Sequence, residues 1–426
     1  MKRIHYIVLA LGLILSSCAK NENDIFSTSP AERLDSALKA DVDLVTSSKN
    51  GWVMEYFANS GSPGYNLLVK FQPSGQAIFA ASNEYTVNNA YMTDSCLFEM
   101  IGDNGPVLTF NTYNKILHVF SNPVDPNGSI DLDGYGLEGD YEFVIMKADS
   151  NKIILKGKKK SAVIVLNKLP ENISWEKYVS DLDEMNSLLF ANNTSKLTMS
   201  VNKVVYSFSN GANHVFSVLK YGANSTAFDV PFIITQNGIR FYESVEFEGN
   251  AVQNFELNAE KSALVSTENA DVQILGQEDL AAYFMSAVKT WAFVPEELSP
   301  NMKVQYDAIV QSCITNFNAE NVQLAIKYYP IRNSFELSLS FMVGQIRNEG
   351  NLDMTITSTK NSLTILNKGT ADTNGATYKA EVTGLNEMAN LLSTGFTLSA
   401  IAKINPQVIK LTKKTDATTW ISIKPL

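Results

Sequence analysis

The chain has 426 residues, 45% of them hydrophobic, and it carries 44 acidic side chains against 34 lysines and arginines. A chain of this length exceeds an ordinary single domain and can bury more than one hydrophobic core. The net charge of −10 argues against a nucleic-acid partner, because nucleic-acid binding relies on cationic patches that neutralise phosphates.

The amino terminus has the layout of a secretory signal. Lys2 and Arg3 precede an apolar run of about a dozen residues, which is shorter than the ~20 residues needed to span a bilayer. The run ends in "LSSC", which resembles the bacterial lipobox, where cleavage falls just before the cysteine. This resemblance implies a signal peptide over residues 1–17, a lipid anchor on Cys18 and a flexible tether over 18–28. The alternative is a secreted protein in which Cys18 is incidental.

Four segments have helical hydrophobic spacing. The first opens with "SPAE" at 29–32, which supplies an N-cap, a proline at the first helical position and an acid at the third, and it closes at Asn50-Gly51. The second starts at Ser174, and the fourth opens with Ser299-Pro300. The third is predicted to carry Leu280, Phe284, Val288 and Trp291.

Between these helices the hydrophobic pattern has the period of two that is typical of strands. "SFELSLSF" at 334–341 alternates apolar and polar residues, which predicts an antiparallel strand with one face in water. "FIITQNGIRFY" at 232–242 predicts a hairpin in which Asn237-Gly238 supply the positive φ angles of a type I′ turn. Similar short strands recur along the chain, as expected of a sandwich or barrel.

We therefore predict a mainly β protein, with antiparallel barrel-like or sandwich-like units and a few accessory helices. An amino-terminal β-rich domain is placed at residues 29–275, with a further division left open near 170–193. A carboxy-terminal α+β domain is placed at 276–426.

Few residues indicate catalytic chemistry. His118 and His214 lie in strand-like runs without zinc-binding spacing, so we interpret both as structural. Cys96 and Cys313 could form a disulfide, but two buried free thiols are the favoured interpretation. The complete GxSxG, Walker A and GxGxxG motifs are absent, and no catalytic residue is predicted.

One acidic, glycine-rich segment could bind calcium. Asp131, Asp133 and Glu142 fall at positions 1, 3 and 12 of an EF-hand loop, so these three are the candidate metal ligands. Tyr135 and Glu138 break the pattern at positions 5 and 8, and an acidic solvated loop is the favoured alternative. The same carboxylates could serve a glycosidase-type hydrolase if their separation allowed it.

Several phrases, taken together, resemble a family of uncharacterised outer-membrane lipoproteins of the Bacteroidota, a domain of unknown function. They are "NGWVMEYF" (50–57), "GYNLLVKF" (64–71), "LTFNTYNKILHVFS" (108–121), "GDYEFVI" (139–145) and "KIILKGKKK" (152–160). The resemblance imports no catalytic residue. It implies an outer-membrane lipoprotein, often encoded beside TonB-dependent nutrient-uptake components.

From these observations we expect a non-enzymatic ligand-binding or accessory component of an outer-membrane uptake system. Its expected partners are the membrane, through the lipid anchor, and a TonB-dependent transporter with its associated lipoprotein. The alternatives are a surface hydrolase that uses carboxylates of the 125–142 segment, and a structural or adhesive surface protein. The ligand and the membrane face stay open.

Overall fold

The computed structural model describes residues 28–103, 105–124, 134, 136–191, 197–222, 225–285, 290–329 and 334–426. In these residues the chain folds into three closed antiparallel barrels of eight strands each, and a helix precedes every barrel. The predicted mainly β class with a few helices is therefore confirmed. Among the described residues, no helix combines the length and apolar character needed to cross a bilayer.

The first barrel follows helix α1 (Pro30–Thr46) and closes through the pairing of its first strand with its last. The capping box predicted for α1 is confirmed, because Ser29 Oγ accepts from the Glu32 amide and Glu32 accepts from the Ser29 amide. The strands are β1 (Trp52–Phe57), β2 (Gly64–Phe71), β3 (Gln76–Ala81), β4 (Met92–Gly102), β5 (Pro106–Phe110), β6 (Glu142–Ala148), β7 (Lys152–Gly157) and β8 (Val163–Lys168).

The second barrel follows helix α2 (Trp175–Phe190), whose predicted start at Ser174 is confirmed, with the Ser174 hydroxyl accepting from the Lys177 amide as an N-cap. It closes through a short pairing of β16 with β9. The strands are β9 (Leu197–Val201), β10 (Val204–Ser209), β11 (Val215–Lys220), β12 (Phe228–Thr235), β13 (Gly238–Phe247), β14 (Asn250–Leu257), β15 (Ala263–Ser266) and β16 (Gln273–Leu275). Residues 29–275 thus contain two barrels.

The third barrel follows helix α3 (Leu280–Met285) and carries three further helices. Helix α4 (Pro300–Phe317) matches the prediction, whereas α5 (Thr373–Glu381) and α6 (Leu385–Leu392) were not predicted. The strands are β17 (Thr290–Phe293), β18 (Glu320–Tyr329), β19 (Ser334–Val343), β20 (Ile346–Thr359), β21 (Ser362–Ala371), β22 (Gly395–Ser399), β23 (Ile409–Lys413) and β24 (Trp420–Pro425).

A buried tryptophan joins helix to barrel in the first and third units. Trp52, at the start of β1, donates its indole N–H to the carbonyl of Val45 near the end of α1. Trp291 in β17 donates in the same way to Phe284 of α3. Both indoles are fully buried, so each bond satisfies a polar group that would otherwise be costly in the core. The prediction that Trp291 lies on the helix is wrong, because Trp291 belongs to β17 and its indole reaches back to Phe284 of α3. Val288, which the same prediction named, lies outside the described residues.

Two details of the strand predictions are also wrong. Neither Asn237 nor Gly238 has a positive φ, so the hairpin of β12 and β13 forms without a type I′ turn. The polar face of β19 is not wet, since Ser338 is only 1% exposed. The ion pair of Lys327 on β18 with Glu349 on β20 crosses over β19 and covers that face.

Candidate ligand-binding cleft between the first two barrels

The first two barrels pack closely against each other. Asn66 on β2 donates its side-chain amide to the Ile234 carbonyl on β12 (2.8 Å), and the Val163 amide donates to the Tyr242 hydroxyl (3.0 Å). Gly64 allows the close approach of β2 to β12, because a Cβ at this position would lie 2.7 Å from Ile233 Cβ. The barrels therefore meet along an ordered interface with hydrogen bonds.

An ion pair between Arg240 of β13 and Glu55 of β1 lies in the same interface. The two side chains are 15% and 10% exposed. Asn167 donates a further hydrogen bond to Glu55 Oε1 at 2.8 Å, so the carboxylate has partners from both barrels. Since buried charges require paired and well-oriented partners, this contact restricts the relative orientations that the two barrels can adopt.

A cavity of about 390 Å³ lies beside this interface. Its walls come from β2, the segment after β3, helix α2 and the turn before β11. Polar side chains on these walls include Tyr65, Ser82, Glu84, Asp183, Asn186 and His214. Val179, Leu182 and Ile234 supply apolar surface. The volume lies in the range of small-molecule sites, and the mixture of a few polar groups with apolar surface is typical of them.

His214 contributes an imidazole to the cleft. Its backbone is left-handed, with φ at 54°, and Nε2 lies 3.0 Å from Oδ1 of Asn186 on α2. Burial lowers the pKa of His214, although a backbone hydrogen bond to Gly64 and the charge of Glu84 oppose this shift. The imidazole is therefore neutral at physiological pH, and it meets an amide rather than the hydroxyl or thiol that a nucleophilic pair requires.

Two carboxylates line the cleft, and both have hydroxyl partners. The Tyr65 hydroxyl donates to Glu84 Oε1 at 2.8 Å, and the Ser82 hydroxyl donates to Asp183 Oδ2 at 3.4 Å. Desolvation raises the pKa of Asp183, and the Ser82 hydrogen bond only partly offsets this. Burial and the charge of Glu84 raise the pKa of Tyr65, so its hydroxyl stays protonated and able to donate.

The candidate sites predicted from sequence lie elsewhere. Cys18, Asp131 and Asp133 fall outside the described residues. Glu142 lies on β6, where it approaches Lys158 Nζ at 3.4 Å and the Thr109 hydroxyl at 3.4 Å. Within the described ranges no group of three metal-ligating side chains comes together. The calcium site at Asp131, Asp133 and Glu142 thus stays a prediction.

The placement of both histidines in strands is wrong. His118 starts a short 3-10 turn, where Nδ1 accepts from the Asn114 amide (3.0 Å) and Nε2 lies 3.3 Å from the Phe110 carbonyl. Its ring is buried between Tyr113 and Tyr141, which agrees with a structural role. His214 lies in the turn before β11, which places it in the cleft instead of in a barrel core.

The cysteines behave as the favoured interpretation predicts. Cys96 on β4 and Cys313 on α4 are buried free thiols in different barrels. Burial raises the pKa of Cys96 to about 12 and that of Cys313 to about 11. Both are therefore thiols and not thiolates at physiological pH, so neither is an activated nucleophile.

The fold and the cleft define a class of protein: three closed β-barrels, each introduced by a helix, with a polar cavity between the first two. A family model described as a domain of unknown function (DUF4302) matches residues 22–259, and the chain belongs to this family. The match spans the first barrel and most of the second, so it includes every residue of the cleft named above.

Other comparisons add little. No curated protein matches the chain. Among solved structures, the DNA polymerase III β chain of Streptococcus pneumoniae TIGR4 is 14% identical, with 92% of this chain and 96% of that chain covered and a TM-score of 0.13. A β sliding clamp of C. crescentus is 9% identical, with 92% and 96% covered and a TM-score of 0.15. TM-scores this low carry no argument about this chain.

Proposed function

We propose that this protein is a non-enzymatic ligand-binding or accessory component of an outer-membrane nutrient-uptake system, anchored through a lipid on Cys18. The cleft between the first two barrels is its ligand site. The observation that carries the proposal is a cavity of about 390 Å³ whose hydrogen-bonding groups come from both barrels and from helix α2. A site built between two elements held by a buried ion pair is preorganised, which lowers the entropic cost of binding.

The chemistry of the cleft supports binding rather than turnover. The Ser82 hydroxyl donates its proton mainly to the Asn89 carbonyl at 3.0 Å, and Asp183 lies farther away at 3.4 Å. His214 faces the side-chain amide of Asn186. Hydroxyl, amide and carboxylate groups arranged in this way can satisfy the polar groups of a ligand without forming a bond to it.

The membrane setting rests on the lipobox-like "LSSC" segment and on the resemblance to Bacteroidota lipoproteins. On this proposal, the barrels stand off the membrane on the tether at 18–28, and the partners are a TonB-dependent transporter and its associated lipoprotein. The family to which the chain belongs has no assigned function, so the uptake role draws no support from it.

The test is a gentle-detergent pull-down of the tagged protein from its native membrane, with the Cys18→Ser variant as the matched control. We expect a transporter and a lipoprotein in stoichiometric amounts with the native chain, and loss of membrane association with the variant. If the native chain is recovered alone and the purified protein hydrolyses a glycan or peptide, with turnover lost in Glu142→Gln, the protein is a hydrolase. Tight binding to a host or matrix protein and to no nutrient would instead indicate an adhesin.

A further inference from the structure

The charged groups of the cleft have one sign. Glu84 and Asp183 are the carboxylates among the described residues that line the cavity, and this described lining contains no lysine or arginine. His214 adds no positive charge at neutral pH, because burial lowers its pKa. Both carboxylates are exposed at the open cavity, so an anionic ligand would meet two negative charges without a compensating cation among the described lining residues.

The partners of these carboxylates leave their charge uncompensated. Asp183 accepts from the Ser82 hydroxyl at the long distance of 3.4 Å, and Glu84 accepts from the Tyr65 hydroxyl. Among the described residues neither carboxylate forms an ion pair, whereas Asp181, two residues before Asp183 on α2 and outside the cavity lining, is paired with Lys177. A ligand ammonium would form charge-assisted hydrogen bonds here, which are shorter and stronger than those of neutral donors.

The remaining surface suits neutral polar groups. Asn83, Asn186 and Ser187 offer amides and a hydroxyl, which can bind ligand hydroxyls or amides. The ring of Tyr65 is already packed against Phe120, with centroids 4.7 Å apart, and against Tyr85 at 5.7 Å. It is therefore not a free platform on which a sugar ring or a cation could stack.

We infer that the cleft binds a small ligand whose protonated primary amine faces Asp183 and Glu84 and whose neighbouring groups are neutral hydroxyls or amides. This is the chemistry shared by an amino sugar and by the amino terminus of a short peptide. The inference rests on the proposed binding function and specifies its ligand class. It excludes phosphorylated and carboxylate-rich ligands from this cleft.

The experiment is isothermal titration calorimetry of the full chain with two matched pairs of probes. One pair is glucosamine and N-acetylglucosamine, and the other is alanyl-alanine amide and its N-acetylated form. Acetylation removes the charge of the amine and leaves the rest of each probe intact. We expect at least one free amine to bind, and its acetylated partner to bind at least tenfold more weakly. Which pair binds identifies the ligand as sugar or peptide.

Variants of the carboxylates provide the control. Asp183→Asn and Glu84→Gln should each weaken amine binding at least tenfold. The control is Glu184→Gln, which changes the residue after Asp183 on α2; because Glu184 is exposed and lies outside the cleft, amine binding should be unchanged. Circular dichroism establishes that each variant is folded, and the two cleft variants are independent of each other. A loss with Glu184→Gln equal to that with Asp183→Asn would overturn the site.

The outcomes separate the two proposals. If an acetylated or otherwise neutral probe binds as tightly as its amine, the ligand class is wrong but the binding function stands. If none of the four probes binds, the ligand class is also wrong, and the membrane pull-down then decides the proposed function alone.

Discussion

Replacing Arg240 with methionine should destabilise the pairing of the first two barrels. The guanidinium group is the cationic partner of Glu55, and both side chains are largely buried, at 15% and 10% exposure. Methionine keeps much of the aliphatic volume of arginine, so the substitution mainly removes the charge. Glu55 would then be a buried carboxylate that still accepts a hydrogen bond from the side-chain amide of Asn167, at 2.8 Å.

The expected loss is about 3 kcal/mol, at the lower end of the ~3–5 kcal/mol typical when one partner of a buried pair is removed, because Asn167 still solvates the carboxylate. The Lys49–Glu171 pair serves as an internal reference. Its side chains are 80% and 59% exposed and 3.7 Å apart, so Lys49→Met should cost less than about 1 kcal/mol. The double variant Glu55→Gln/Arg240→Met removes both charges and should recover more than half of the loss.

Native-state hydrogen exchange can measure this loss of stability at the two strands that carry the ion pair. The free energy of local opening for amides of β1 and β13 should fall in Arg240→Met and recover in the double variant, while amides of β19 in the third barrel should be unchanged. A loss below about 1 kcal/mol, or no recovery in the double variant, would refute the view that a buried, charge-compensating pair holds the two barrels together.

Three further results are expected from the described contacts. Ser29→Ala removes the side-chain acceptor of the capping box with Glu32, so the first turn of α1 should lose about 1 kcal/mol and its amides should exchange faster; unchanged protection would contradict the cap. Burial lowers the pKa of His118, so below about pH 6.5 the unfolded chain binds a proton that the folded chain does not. The urea midpoint should therefore be lower at pH 5.5 than at pH 7.5, and this difference should be smaller in His118→Phe. In the Cys18→Ser variant, Cys96 and Cys313 should react with Ellman's reagent at pH 8 only after denaturant is added, because both thiols are buried and burial raises their pKa values. A fast-reacting thiol in the folded protein would contradict their burial.

The features that sequence predicts correctly are local ones. The caps at Ser29 and Ser174 each require only a side-chain hydroxyl and a backbone amide three residues later, so both partners lie within one short stretch of sequence. The period of two likewise identifies strands without knowledge of their partners. Barrel closure depends on pairings such as Trp52 with Lys168, which lie far apart in the chain and leave no local signal.

Helix α5 illustrates a different limit. Its sequence "TNGATYKAE" contains a glycine and only one large apolar side chain, so it lacks helical periodicity. The helix is stabilised by context: Asp372 accepts from the Gly375 amide at 2.6 Å, and Gly375 lies so close to β20 that a Cβ would come within 2.2 Å of the Asn351 carbonyl. Tertiary packing therefore overrides a weak intrinsic propensity.

The cleft could not be predicted for the same reason as barrel closure. Its walls come from residues near 65, 84, 183, 214 and 234, and none of these segments carries a recognisable motif. His214 follows a left-handed turn that the alternating pattern of "NHVFSVL" obscures, so it was interpreted as a strand residue. Helix α2, which connects the two barrels, forms one wall of the cleft.

The distribution of charge along the chain bears on what the cleft can bind. Residues 276–426 contain 13 basic and 13 acidic side chains, so the whole net charge of −10 arises from residues 1–275, which include the two barrels around the cleft. The field of these barrels and the uncompensated carboxylates of the cleft act in the same direction, because both attract cations and repel anions. The negative charge that disfavours a nucleic-acid partner should also favour a protonated amine near Asp183 and Glu84. Screening by salt reduces the contribution of the distant charges, and because Asp183 and Glu84 are themselves exposed, their attraction for a cation should also weaken as salt is added.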